Sequence, residues 1–214
     1  MAAGLAERAL AQRLQQQAGL PAPPDVAVEG IPFLTQALAG RYDRVRVSAR
    51  DVPLGGTSRV GLRSFTATLR GARVPLSEAL TGGVASVPVD RIDAETVLPY
   101  DTFSRRAYGG RVTASPAGDR LRLTGTVRVL GRDLAASAVS RVRLDGEDLV
   151  VTAQSFDVGS RFVDRLLTRA LRNRFDVRLD LGGLPYGLRV SGVQVRADGV
   201  AVTAQSDGAV LSSR

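Results

Sequence analysis

The sequence predicts an α+β protein in which a strongly curved antiparallel sheet wraps amphipathic helices. Three observations carry that expectation. Long segments alternate apolar and polar side chains, as where Val45, Val47 and Ala49 interleave with Arg44, Arg46, Ser48 and Arg50, the pattern of a strand with one dry face and one wet, basic face. From Gly110 onward, strand-like runs are separated by Pro116-Ala117-Gly118-Asp119, Gly131-Arg132 and Asp145-Gly146, all strong turn chemistry. Only two sizeable helical patterns, residues 3–18 and 160–173, are available to cover the sheet's apolar face.

In chain order, Ala6, Leu10, Leu14 and Ala18 recur at helical spacing and stop at Gly19, with Pro21 just beyond. The Pro21-Ala22-Pro23-Pro24 cluster is extended, and Asp25 to Glu29 makes a short strand before Gly30. Pro32 opens a helix to Ala39, and Gly40 ends it. Strands follow over Tyr42 to Val52 and Val60 to Val74, the second with a change of phase near Ser64 that suggests a bulge. Ala85 to Val97 resumes alternation, and Pro99 to Ala107 is helical. The meander then runs over Arg111 to Ser115, Arg120 to Leu130, Asp133 to Leu144 and Leu149 to Phe156.

The strongest helix is Ser160 to Asn173, with Phe162, Val163, Leu166, Leu167, Ala170 and Leu171 on one side and Arg161, Arg165, Arg169 and Arg172 on the other. It reads either as a core-packed helix with a solvated basic back or as a basic helix that also leans on an anionic bilayer. Phe175 to Leu181, Tyr186 to Ala197 and Val200 to Gln205 close the sheet. A hairpin recurs: R-L-D-G followed by V-V-T-A-Q-S at Arg143 to Ser155 returns as R-A-D-G followed by V-A-V-T-A-Q-S at Arg196 to Ser206.

The 214 residues are expected to form one domain, 1–214, with a core that is aliphatic because aromatics are 5% and tryptophan is absent. All 29 basic residues are arginine and the formal charge is +8, which points to anionic partners through permanently charged, phosphate-matching guanidinium groups. With no histidine, cysteine or lysine, the commonest general base, thiol nucleophile and Schiff-base amine are missing. No nucleophile elbow, phosphate-binding loop or dinucleotide fingerprint occurs. The sequence therefore assigns no catalytic residue, no cofactor and no metal. Asp90, Asp93 and Glu95 are expected to pair with surrounding arginines, and Asp145, Glu147 and Asp148 lack the spacing of a calcium loop. Nucleic-acid binding is disfavoured because the Phe and Tyr residues never cluster into a stacking platform.

The run GIPFLTQALAGRYDRVRV, then VLPYDTFSR, and near the end GLPYGLRVSGVQVRADGVAV, resemble the actinobacterial LmeA-like family of cell-envelope phospholipid-binding proteins. The resemblance spans nearly the whole chain, and its most specific part is the G-[IF]-P-F-L-T-Q element. It implies phospholipid binding on a fold similar to the tubular lipid-binding proteins, with no catalytic motif to transfer. It also implies an anionic phospholipid partner, inositol-bearing lipids included, and work at a membrane surface outside the cytoplasmic membrane. A signal or anchor segment is expected to precede the N-terminal helix.

Combined with that resemblance, the residues suggest acyl chains held between sheet and helices. Phe33, Leu34, Phe103, Phe162, Leu166 and Leu167 are the expected slot lining, as the bulkiest apolar residues on helices or corners, with ordinary core packing the competing reading for each. Arg41 and Arg44 beside the corner, and Arg165 and Arg169 on one helix face, are the expected headgroup contacts. A structural envelope protein without bound lipid is the alternative, and a nucleic-acid-binding module a weaker one. The sequence leaves oligomeric state open.

Overall fold

The computed structural model describes residues 11, 22–30, 33–53, 61–75, 86–129, 132–158, 165–181 and 184–212. They are mostly antiparallel β-sheet with a few short helices. The strands are β1 (Asp25–Glu29), β2 (Arg41–Pro53), β3 (Gly61–Arg73), β4 (Ser86–Leu98), β5 (Val112–Ala117), β6 (Arg120–Val129), β7 (Arg132–Asp145), β8 (Asp148–Asp157), β9 (Val177–Asp180), β10 (Arg189–Arg196) and β11 (Gly199–Ser212). The helices are α1 (Phe33–Ala39), α2 (Tyr100–Tyr108) and α3 (Arg165–Phe175). Of the predicted 3–18 helix only Ala11 is described; it is helical and buried.

One sheet has the order β1-β2-β3-β4-β11-β10 and the other β5-β6-β7-β8-β9; neither is closed. The chain divides into two compact units, Met1–Thr96 with Gly183–Ser191 and Thr203–Arg214, and Val97–Gly182 with Gly192–Val202. Each has its own core.

In the first unit the alternation of β2 sets the packing. Val45 faces Val28 and Val47 faces Val26 across the β1–β2 ladder. These valines join Ala72, Val89, Ile92 and Ala209 in one aliphatic cluster. The intervening positions carry charge, so Glu29, Arg44 and Arg46 share the opposite face. The β2–β3 pair keeps one register from Pro53↔Gly61 to Arg41↔Arg73, so no bulge against β2 occurs at Ser64. The irregular backbone lies instead at Gly71, whose φ is +63°.

In the second unit, β5 to β9 present Val112, Leu121, Leu123, Ala138, Leu149 and Val151 on one face, and Phe103 of α2 with Leu171 and Phe175 of α3 pack among them. Each such large apolar side chain removed from water contributes about 1.5–3 kcal/mol. Three hydrogen bonds tie the layers together: Tyr108 Oη donates to Phe175 O at 2.7 Å, Ala114 N–H to Ser104 Oγ at 2.9 Å, and Ala153 N–H to Asp176 Oδ1 at 2.7 Å. Helix α2 stops at Gly109 (φ +60°), whose N–H returns to Arg105 O at 2.9 Å. That left-handed C-terminus suits glycine because it has no Cβ. The β7–β8 register shifts between Val139 and Ser140, an irregularity without a sequence signal.

Candidate functional site

The G-I-P-F-L-T-Q corner has a local logic visible at its two ends. Gly30 sits at φ +122°, and a Cβ built there would lie 2.3 Å from Gln36 Nε2. Gln36 is only 9% exposed, and its Oε1 accepts the Asp43 N–H at 3.0 Å, pinning α1 to the start of β2. Its Nε2 is buried without a hydrogen-bond partner among the described residues. Phe33 and Leu34 occupy the first turn of α1; their side chains lie outside the described set. Near the other end of that helix Leu38 is 78% exposed.

Two of the four arginines expected at the headgroup, Arg41 and Arg44, are already engaged. Arg41 pairs with Asp90 at 3.0 Å, and Asp90 also takes Arg73. Arg44 and Arg46 share Glu29, at 3.2 and 3.4 Å. Further along, Asp93 holds Arg70 at 3.1 Å and Arg91 at 2.9 Å, and Arg91 reaches Asp207 at 3.4 Å. The carboxylates Asp90 and Asp93 are thus ion-pair partners, as their setting among arginines predicts. Such exposed pairs are each worth only about 0–1 kcal/mol, so an arriving phosphate competes with them at modest cost.

In the second unit Phe103 is fully buried, in the same cluster as Leu171 and Phe175 of α3. Arg165, Leu166 and Leu167 form the first turn of that helix, with only their backbone described, and Arg169 is exposed. Phe162 lies outside the described residues. The structure therefore brings Phe103 together with α3, and places Arg41 and Arg44 on β2 of the first unit. Arg178 bridges Asp145 at 2.6 Å and Asp148 at 2.7 Å, so that acidic hairpin is occupied by a guanidinium. On β6 and β7, the hydrogen bond from Arg128 holds the Asp133 carboxyl below its ordinary range. Among the described residues no cluster of acidic groups is arranged to hold a metal ion, and no helix is long and apolar enough to cross a membrane.

Sequence reasoning missed a groove in the first unit. About 630 Å³ of open space is lined by Tyr186, Gly187, Arg189 and the β11 stretch from Gln205 to Val210. Tyr186 sits in a single turn of 3-10 helix, Pro185–Gly187, with φ +59°, the one non-glycine residue with positive φ among those described. The buried Ser206 donates its hydroxyl to Tyr186 O at 2.9 Å and fixes the turn. The sequence read a strand from Tyr186; the Pro and Gly on either side were the available signal.

A family model described as LmeA-like phospholipid-binding matches residues 1–205. No curated protein and no solved structure matches the chain.

Proposed function

The chain belongs to the LmeA-like phospholipid-binding family, and from that premise we propose that it binds phospholipid without catalysis in the extracytoplasmic cell envelope. There it would support envelope lipid or lipoglycan assembly. The family match over residues 1–205 carries the reading. In its finer form, a strongly curved sheet and amphipathic helices hold acyl chains in an aliphatic slot, with Phe33, Leu34, Phe103, Phe162, Leu166 and Leu167 as lining. The headgroup is anionic, with inositol-bearing lipids the first to test, and meets Arg41, Arg44, Arg165 and Arg169.

Two considerations support this arrangement. The described cores are built largely from Val, Leu, Ala and Phe, side chains chemically matched to acyl chains. Shielding each methylene contributes about 0.8 kcal/mol, so roughly a dozen outweigh one exposed arginine pair. The slot then sets affinity and the arginines set preference.

The test is an organic extract of purified protein, wild type beside Leu166→Asp and beside the Arg165→Ser/Arg169→Ser double variant, each first checked for folding by circular dichroism. Lipid lost from folded Leu166→Asp supports the slot. Wild-type lipid content in that variant rejects the slot, and loss confined to the arginine variant at low salt points to attachment at a membrane surface. A wild-type extract free of phospholipid favours an envelope protein without bound lipid. Retention on DNA that salt abolishes favours nucleic acid. Fractionation of cells expressing the full-length gene product tests the envelope location.

A further inference from the structure

We propose that the groove beneath Tyr186 receives the phosphate and hydroxyl-bearing headgroup of a membrane phospholipid, with Arg189 as its phosphate contact. This rests on the phospholipid-binding reading and adds Arg189 to the arginines named above as a phosphate contact.

The argument starts from strain. A non-glycine residue held at φ +59° is strained, and such residues persist where the surroundings over-determine them. Here Pro185 and Gly187 flank the residue, and Ser206 holds its carbonyl. Tyr186 held in this way is 49% exposed and lines the groove.

The lining is divided chemically. On the polar side, Gln205 and Asp207 are held by Arg91, which donates to Gln205 Oε1 at 2.8 Å and to Asp207 Oδ1 at 3.4 Å. Arg91 is itself fixed by Asp93 at 2.9 Å, so the Gln205 amide N–H groups and the second Asp207 oxygen remain for headgroup hydroxyls. Arg189 makes no ion pair with a described residue and is exposed in the groove. It differs in this from Arg41, Arg44, Arg70 and Arg91, each of which pairs with a carboxylate.

On the apolar side, Val210 is 56% exposed beside Tyr186. Leu184, two residues before Tyr186, is exposed as well, so three of the four exposed large hydrophobics among the described residues lie at or next to this groove. A groove that joins polar groups and Arg189, unpaired among the described residues, to the exposed Tyr186 and Val210 matches an amphiphile presented by a bilayer, where Tyr sits at the interface and Arg meets phosphate.

The chain has no tryptophan, so Tyr186→Trp gives a single reporter ring at the groove. Full-length Tyr186→Trp protein is titrated with phosphatidylcholine vesicles, the same vesicles carrying an anionic phospholipid, glycerol phosphate, inositol phosphate and inorganic phosphate. Anionic vesicles should shift and intensify the emission, and adding Arg189→Ser should weaken that binding about tenfold, the effect of one charge-assisted contact. Arg122→Ser, which removes an exposed arginine from β6, should leave it within about twofold. Equal losses in both arginine variants, no emission change with anionic vesicles, or saturation by inorganic phosphate as readily as by vesicles would overturn the proposal. If Arg189→Ser binds anionic vesicles as the parent does while extracts of both contain phospholipid, the groove assignment fails and the family-based reading stands. Extracts without phospholipid in the parent protein remove both.

Discussion

Gln36 lies over Gly30: the side-chain Nε2 of the one occupies the space, 2.3 Å away, where a Cβ of the other would be. The two residues bracket the family-like corner, and Gln36 also receives the Asp43 N–H at 3.0 Å. Gly30→Ala therefore meets both a clash and an unfavourable φ of +122°. It should destabilise by about 1–3 kcal/mol in urea unfolding. In the Gln36→Ala background the clash disappears and the penalty should shrink to the backbone share. Equal penalties in the two backgrounds would show that Gln36 does not occupy that space.

The corner also shows what a sequence discloses. Gly30 and the helix to Ala39 are legible from punctuation, and the β1 and β2 alternation from period; neither indicates that Gln36 is buried and bonded to Asp43, because that contact depends on how α1 folds back. Pro116 is a second case. It reads as turn, yet it belongs to β5, an edge strand whose outward N–H positions need no partner. Phe175 reads as strand but ends α3, since burial among Leu121, Leu149 and Leu171 outweighs its β propensity. Of the candidate site, the arginine and aliphatic chemistry was legible. The pairing of Arg41 with Asp90, far apart in sequence, was not, nor was the Tyr186 groove, which requires β11 to run on to Ser212 past the expected end at Gln205.

Phe103 distinguishes core from slot. It is fully buried between α2 and the second sheet, in contact range of Tyr108 with ring centroids 6.2 Å apart. Phe103→Ala should cost about 3–5 kcal/mol, read as a lowered urea midpoint at unchanged slope. A small stability loss together with loss of bound lipid would instead place its ring against an acyl chain.

Ser140 is fully buried on β7 with its hydroxyl unpartnered among the described residues. A buried hydroxyl without a hydrogen bond costs free energy that a methyl group does not. Ser140→Ala should raise stability by about 1 kcal/mol in the lipid-free protein. A decrease would mean that the hydroxyl has a partner, and the lipid content of the variant would tell whether that partner is ligand.

Burial first, and the Asp176 charge second, raise the Tyr108 phenol well above its ordinary value. Folded and unfolded chains both hold this proton below about pH 10. Above it the unfolded chain releases the proton while the folded chain retains it, so stability falls as pH climbs toward the raised folded value. Tyr108→Phe should flatten that alkaline loss. At neutral pH it costs about 1 kcal/mol through the hydrogen bond to Phe175 O. An unchanged alkaline slope would assign the loss to Tyr100, which burial and Asp198 also raise.

Between those alkaline losses and the acid range, the protein has few groups to titrate. It contains no histidine and no cysteine, the side chains whose ordinary values lie nearest neutrality. Arginine keeps its charge throughout. Protein-borne charge is therefore nearly constant from about pH 6 to 8, and any pH step in binding over that interval must come from the ligand or the α-amino group. A phosphodiester headgroup carries one fixed charge there, whereas a phosphomonoester gains a second near pH 6. Binding to vesicles carrying a phosphodiester lipid should accordingly be flat across the interval, and binding to a phosphomonoester lipid should strengthen as pH rises. A flat response to both lipids would show that the headgroup charge makes no contact with arginine.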